Sequence, residues 1–262
     1  MVIKILLNSF PDKQPLTSQE LEAAIAIISF IVRYYAGIGI DIGPADLQVI
    51  KHPNRGYPQF CPQSLNSKFP CDSIFLSMDS FTFWCQLIFQ VSHEITHCVI
   101  HRLNSHENQK ASWVEETICE AMSLVFLNMF ANNWSECCLS KKSPHYYEDI
   151  QKYLRGELEK TGNNKLENCN GIMGLKEVEQ SSVSNRENRC EEMHQLYHLI
   201  QSEDDIRGLV NYRNNVVSGT ILLDTQMYQK AYPSSQAVQY LCCLQKDALR
   251  RNVAVSKVSE ES

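Results

Sequence analysis

The sequence predicts an α+β protein with a helical C-terminal part. Short β-like runs rich in Val, Ile and Phe occur in the first third of the chain, whereas the later segments have the length and apolar spacing of helices. The chain has 262 residues, of which 44% are hydrophobic, so it can bury a substantial core.

The first elements are predicted from residue patterns between positions 2 and 78. Residues 2–7, 47–52 and 73–78 have the composition of strands, and a loop rich in Pro, Asn and Ser separates the last two. The segment between the first two strands predicts a helix. Thr17 or Ser18 is its N-cap and Gly37 marks its end.

Three longer helices follow. The first is capped by Asp79 or Ser80 and runs to about Leu103, and the second spans residues 112–132. The third is capped by Ser143, with Pro144 at its first position. The predicted organisation is a core at 1–160, a polar linker or loop at 161–189, a helical subdomain at 190–252 and a polar tail at 253–262.

Composition excludes several classes of protein. The net charge of −6 and the absence of a long basic run argue against nucleic acid as a partner. The run that ends at Arg33 is too short for a membrane span, and the run from Phe81 to Ile100 carries too many polar groups. Eleven irregularly spaced cysteines and no signal peptide predict free thiols, in a protein that is cytoplasmic or exported without an N-terminal signal.

The stretch "SHEITH", Ser92 to His97, carries the predicted chemistry. On a helix, His93 and His97 share a face and can bind one metal ion, and Glu94 lies beside them as a general base for a metal-activated water. A shuffled chain of this composition would contain the motif with a probability of about 2%. Its position in an apolar helix adds weight, because a buried glutamate between buried histidines needs partners.

The next helix supplies a third ligand. It begins "SWVEETICEAMS", and Glu116 follows His97 after eighteen intervening residues. Two antiparallel helices would bring Glu116 to the histidine pair and leave a fourth coordination position for water, as in catalytic zinc sites. Glu120 lies one turn further on and could accept a hydrogen bond from the outer nitrogen of one ligating histidine.

These residues resemble the gluzincin metallopeptidases, which include thermolysin-like enzymes and zinc aminopeptidases. In the latter the second helix reads W-L-N-E-G-F-A, and Trp113, Val114 and Glu116 fit that pattern, whereas Glu115, Thr117 and Cys119 depart from it. The resemblance covers residues 73–130. It implies a zincin-like core, with a small mixed sheet and two long active-site helices. It further implies one Zn²⁺ ion bound by His93, His97 and Glu116, with Glu94 as base and Glu120 behind the ligands.

The resemblance leaves part of the substrate recognition open. The chain has no G-A-M-E-N-like segment before the motif helix, so specificity for a free N-terminus does not carry over. The strand at 73–78 could be the edge strand that pairs with an extended peptide.

Several alternatives compete with this site. His101 or Glu115 could be the third ligand, the acidic residues could form a solvated face, or Cys98 and Cys119 could complete a structural zinc site. The motif could also have arisen by chance in a helical scaffold. Six side chains are candidates to stabilise an oxyanion: His145, Tyr146, Tyr147, His194, Tyr197 and His198.

The predicted function is a zinc-dependent metallopeptidase that hydrolyses peptide or protein substrates. The alternative is a catalytically inactive zinc-binding interaction protein.

Overall fold

The computed structural model describes residues 4–9, 15–43, 45–104, 109–162, 166, 168–183, 185 and 189–258, with side chains up to residue 251. Within these residues the fold is α+β, with one four-stranded mixed sheet and a larger number of helices, so the predicted class is confirmed. Backbone contacts divide the chain into two compact units. The first comprises Met1–Leu103 and Met122–Leu158, and the second comprises Asn104–Ala121 and Glu159–Ser262.

Helix α1 (Ser18–Gly37) begins where its capping residues predict. The Thr17 hydroxyl accepts a hydrogen bond from the Glu20 backbone N–H at 3.2 Å, and the Thr17 N–H donates to the Glu20 carboxylate at 3.0 Å. This reciprocal capping box satisfies two backbone donors that the first helical turn leaves without a partner. Ile27, Ile28 and Ile31 form the buried face of the helix.

The sheet belongs to the first unit. Its strands are β1 (Ile5–Ser9), β2 (Leu47–Lys51), β3 (Gln59–Cys61) and β4 (Asp72–Leu76), in the spatial order β1-β2-β4-β3. β1, β2 and β4 are parallel, and β3 runs antiparallel to β4.

The three predicted strands are confirmed with shifts of a few residues, and residues 1–3 lie outside the described part. β3 falls in a segment predicted as a loop. Because three half-buried residues give too short a pattern to recognise, this strand is evident only from its pairing. The prediction that the strand at 73–78 is an edge is wrong: β4 pairs on both sides, and the edge strands are β1 and β3.

Side chains alternate between the two faces of the sheet. Leu47, Val49 and Ile74 share one face and are at most 2% exposed. Ile50 and Phe75 are register partners that point to the opposite face, and Asn8 of β1 lies beside Ile50 in the same row. A cavity of the first unit lies over this second face.

Helix α2 (Trp84–Leu103) contains the SHEITH motif and is buried from Leu87 to Ile100. The predicted cap at Asp79 or Ser80 is wrong, because the residues before Trp84 form a turn. In that turn the Ser80 hydroxyl bonds the Thr82 N–H at 3.2 Å, so it does not cap α2.

Helix α3 (Ser112–Asn132) has the predicted bounds. In the first unit its Phe126 packs edge-on against Tyr34 and Tyr35 of α1, and its Phe130 ring lies 4.3 Å from the Phe30 ring. Helix α4 (Tyr146–Leu158) begins two residues after Pro144, so the predicted cap at Ser143 and the predicted first position at Pro144 are wrong. The Ser143 carbonyl accepts instead a hydrogen bond from the Trp134 indole at 2.8 Å.

Among the described residues of the second unit, the regular elements are helices, apart from the Val216–Leu223 bridge. After the first part of α3 it contains α5 (Gly171–Ser181), α6 (Cys190–Leu199), α7 (Glu203–Val210), α8 (Thr225–Ala231) and α9 (Gln236–Val258). Helices α5 to α8 all contact α9, which is the central element of the unit.

One local prediction for this region is wrong. The segment 161–189, predicted as a linker or loop, contains α5, whose Leu175 and Val178 side chains are buried. The tail predicted from Val253 is helical as far as Val258. The proposed division into subdomains stays a prediction.

No helix in the described part of the chain is long and apolar enough to span a membrane, as the sequence predicts.

Candidate metal site

His93 and His97 lie one turn apart on α2 and are 2% and 8% exposed. Their Nε2 atoms are 3.2 Å apart, so both imidazoles point to one place. In a tetrahedral zinc site with Zn–N bonds of about 2.0–2.1 Å, two ligating nitrogens lie about 3.3–3.4 Å apart. The spacing of the two nitrogens therefore fits a shared metal ion.

Contacts within the first unit fix the orientation of helix α2 about its own axis. The Tyr35 and Thr96 hydroxyls are 2.8 Å apart and form a hydrogen bond. Thr96 lies between the two histidines in the sequence of α2. At the C-terminal end Arg102 pairs with Asp72 of β4 at 2.8 Å and donates to the carbonyls of Ile42 and Asp46. These contacts fix the helix about its axis, and with it the direction of both imidazoles.

Glu116 of α3 completes a group of three possible ligands. One ligand atom from each of His93, His97 and Glu116 lies within 4.8 Å of the others, and all three residues are buried. Among the residues that the structure describes, this is the one group of three or more His, Cys, Asp or Glu side chains that could hold a metal ion. Two imidazoles and a carboxylate are a donor set that suits zinc and leaves a coordination position open.

Glu94 lies beside this group. Its Oε1 atom is 3.9 Å from His93 Nε2, the nitrogen that faces the shared point, and the residue is 2% exposed. A water molecule bound to a metal ion at the shared point would lie within reach of this carboxylate.

The alternative ligands are engaged elsewhere. The His101 ring packs on Phe60 of β3 at 5.7 Å, and the Glu115 carboxylate pairs with Arg213 at 2.7 Å. Burial raises the pKa of the Cys98 thiol to about 12, so it stays protonated. Neither Cys98 nor Cys119 belongs to the ligand group. The acidic residues do not form a solvated face, because Glu115 is 1% exposed.

Glu120 is buried and ion-paired. The guanidinium of Arg189 donates to its Oε1 at 3.1 Å, and Arg189 is fully buried. The predicted hydrogen bond from a ligating histidine to Glu120 stays a prediction. Arg189 was missed at the sequence level because it ends a polar segment with no periodic pattern.

A second charged network, formed within the second unit, surrounds the start of α3. The Glu115 carboxylate accepts hydrogen bonds from Tyr212 at 2.5 Å and from Arg213 at 2.9 and 3.0 Å, and Lys110 lies 3.3 Å away. Burial lowers the pKa of Lys110, but the Glu115 and Glu116 carboxylates outweigh this effect and raise it, so Lys110 stays charged.

The first backbone N–H groups of α3 are satisfied by a distant carboxylate. Glu179 of α5 accepts hydrogen bonds from the N–H groups of Ser112 and Trp113 at 2.8 and 2.9 Å. A negative charge at a helix N-terminus also complements the helix dipole. The helix that carries Glu116 is therefore anchored at its first turn by a residue from the segment predicted as a linker.

The candidate oxyanion stabilisers lie in different surroundings. Tyr146 packs between Trp84 and Trp134 and bonds the Cys85 backbone, and burial raises its pKa. His194 and His198 line a surface cleft that also contains Glu191. Neither histidine belongs to a metal-binding group among the described residues.

No protein-family model matches the sequence, and no curated protein or solved structure matches the chain.

Proposed function

We propose that this chain is a zinc-dependent metallopeptidase in which His93, His97 and Glu116 bind the metal ion and Glu94 is the general base. The observation that carries the proposal is the convergence of the two imidazoles and the Glu116 carboxylate within 4.8 Å of one another in a buried setting. The resemblance of the two motif segments to gluzincins supports the same assignment of roles.

The donor set determines the chemistry that is available. Bound zinc would lower the pKa of a coordinated water to about 7 and polarise a carbonyl oxygen. The two neutral imidazoles and the single carboxylate of the site leave the metal a net positive charge, which that chemistry requires.

Glu94 would move the proton. Its carboxylate accepts a proton from the water as the water oxygen forms a bond to the carbonyl carbon of the peptide. It then donates this proton to the leaving nitrogen as the C–N bond breaks, which gives a free acid and a free amine. General acid–base catalysis of this kind contributes on the order of 10²–10⁴ in rate. The 3.9 Å distance from Glu94 Oε1 to His93 Nε2 supports this role.

Glu120 and Arg189 would act behind the ligands. An ion pair in which Arg189 is fully buried cannot reorient cheaply, so it fixes the turn of α3 that follows Glu116. The network around Glu115 holds the preceding turn in the same way.

The test compares wild-type protein with Glu94→Gln and with Glu148→Gln, a matched change at a carboxylate whose side chain is 64% exposed. We expect all three proteins, purified without chelator, to contain close to one equivalent of zinc. In a proteome-derived peptide library, wild type and Glu148→Gln should produce the same set of cleavage sites, and Glu94→Gln should produce none of them.

Three results would contradict the proposal. Less than about a tenth of an equivalent of zinc would show that the site does not bind the metal. Zinc binding without cleavage by the wild type would favour the inactive interaction protein, and equal cleavage by Glu94→Gln would remove Glu94 as the base.

A further inference from the structure

A cavity of about 870 Å³ lies over the second face of the sheet, within the first unit. Its floor is the row formed by Asn8, Ile50 and Phe75, which are register partners on three adjacent strands. Phe69 and Arg55 line it as well. We call it the sheet cavity. Its volume is in the range of sites that enclose small molecules, about 300–1,000 Å³.

Arg55 is the distinctive residue of the sheet cavity. Its guanidinium stacks over the Phe75 ring, 4.4 Å from the centroid, and its Nη2 donates to the Gln59 side chain. The Nε atom is buried and has no hydrogen-bond partner in the part of the chain that the structure describes. A buried donor on a charged group is costly when it stays unsatisfied.

Three largely buried arginines of the protein are paired with carboxylates. Arg102 lies 2.8 Å from Asp72, Arg189 lies 3.1 Å from Glu120 and Arg213 lies 2.7 Å from Glu115.

Arg55, by contrast, forms no ion pair with any described residue, and the described residues that line the sheet cavity include no Asp or Glu. The described part of the chain therefore gives this positive charge no acidic partner, in a cavity large enough for an anionic ligand to enter.

The residues that line the sheet cavity also indicate the charge and the polarity of an anionic ligand that would fit it. Arg55 is the one permanently charged side chain among the described lining residues, which complements a single negative charge. The planar guanidinium matches a carboxylate, whose two oxygens can each accept an N–H bond. Ile50, Phe69 and Phe75 offer apolar surface that a strongly hydrated dianion would not use.

We propose that the sheet cavity binds a small monocarboxylic acid with an apolar body, whose carboxylate pairs with Arg55 and whose body packs on Ile50, Phe69 and Phe75. The guanidinium is already oriented by its stacking on Phe75, so the ligand meets a preformed site. The lining of the sheet cavity contains none of His93, Glu94, His97 and Glu116, and the pairing of the ligand with Arg55 does not involve zinc.

The test uses two acids, 4-phenylbutyrate and decanoate, each compared with its neutral primary amide by isothermal titration calorimetry. We expect at least one acid to bind the wild type with a Kd below about 1 mM, and its amide to bind at least about tenfold more weakly. In Arg55→Met the acid and the amide should bind equally. Arg33→Met, a matched change at an exposed arginine of α1, should keep the wild-type ratio.

Two results would overturn the proposal: binding of neither acid by the wild type, or an unchanged acid-to-amide ratio in Arg55→Met. If Arg55→Met does not fold, Arg55→Lys is the second variant, because lysine keeps the positive charge but lacks the planar guanidinium. We expect its acid-to-amide affinity ratio to lie between the wild-type value and a ratio of one. An unchanged ratio in Arg55→Lys would then count against the proposal. Removal of metal by a chelator should not alter acid binding, so this result is separable from that of the metallopeptidase test.

Discussion

Replacement of Arg213 by methionine is expected to lower the free energy of unfolding by about 3 kcal/mol. Arg213 holds the Glu115 carboxylate through its Nε at 2.9 Å and its Nη2 at 3.0 and 2.7 Å, and the Glu115 side chain is 2% exposed. Methionine has a similar apolar stem but no charge. The variant therefore keeps the packing and leaves a buried carboxylate without its closest cation.

The size of this loss in stability depends on which contacts of the Glu115 carboxylate remain in the variant. Breaking a buried ion pair by removing one partner costs about 3–5 kcal/mol. The lower end applies because the Lys110 ammonium, 3.3 Å away, and the Tyr212 hydroxyl, 2.5 Å away, still contact the carboxylate. In the double variant Glu115→Gln/Arg213→Met no buried carboxylate is left without its cation, and Lys110, which loses Glu115, has a side chain that is 38% exposed and can be solvated. We therefore expect a smaller loss than in Arg213→Met alone.

The assay is urea unfolding followed by circular dichroism. The control is Arg207→Met on α7, because Arg207 also contacts two carboxylates, at 2.8 and 2.7 Å, but its side chain is 38% exposed. Solvent screens such pairs, and we expect a change below about 1 kcal/mol. The reasoning is refuted if Arg213→Met is no less stable than Arg207→Met, or if the double variant is less stable than Arg213→Met.

Three further outcomes are expected. Burial alone would raise the pKa of Glu20, but the hydrogen bonds from Lys51 and Thr17 and the charge of Lys51 together outweigh it, and the pKa falls from 4.5 to about 2. Glu20 therefore stabilises the fold above pH 4.5 and loses this contribution as the pH falls towards 2, so the melting-temperature difference between wild type and Glu20→Gln should shrink over that range. Zinc should raise the melting temperature of the chelator-treated wild type by several degrees and that of Glu116→Ala by much less, and an equal rise in both would argue against Glu116 as a ligand. Native protein should react quickly with a thiol reagent at Cys138 and Cys243, the exposed cysteines, and mass spectrometry that finds buried thiols labelled first would contradict this.

The sequence predicted best those elements whose signals are local. The capping box at Thr17 and Glu20 gave the start of α1, and the apolar run after Ser112 gave both ends of α3. β3 and α5 were missed because each depends on distant partners. β3 has three residues and is evident only when paired with β4, and α5 is a polar segment that buries only Leu175 and Val178 among its large apolar residues.

The residues of the candidate site likewise fall into those that a local pattern predicts and those that depend on distant partners. The shared direction of His93 and His97 follows from the helical period alone, so it could be predicted. The approach of Glu116 depended on the resemblance and on the expected pairing of two helices. Arg189 and Arg213 pair with carboxylates of α3, and Glu179 accepts hydrogen bonds from its first N–H groups. All three lie more than sixty positions from their partners in sequence, and no local pattern connects them to α3.

The anchoring of α3 by distant residues has a consequence for how short this protein can be made. A truncated chain that stops at residue 160 would retain His93, Glu94, His97 and Glu116, yet it would lack Glu179, Arg189 and Arg213. The two carboxylates that flank the candidate ligand on α3 would lose the guanidinium groups that neutralise them, and the first turn would lose its acceptor. The candidate ligands and the candidate base thus lie in the first 160 residues, whereas Glu179, Arg189 and Arg213, which hold the first turns of α3, lie in the last hundred.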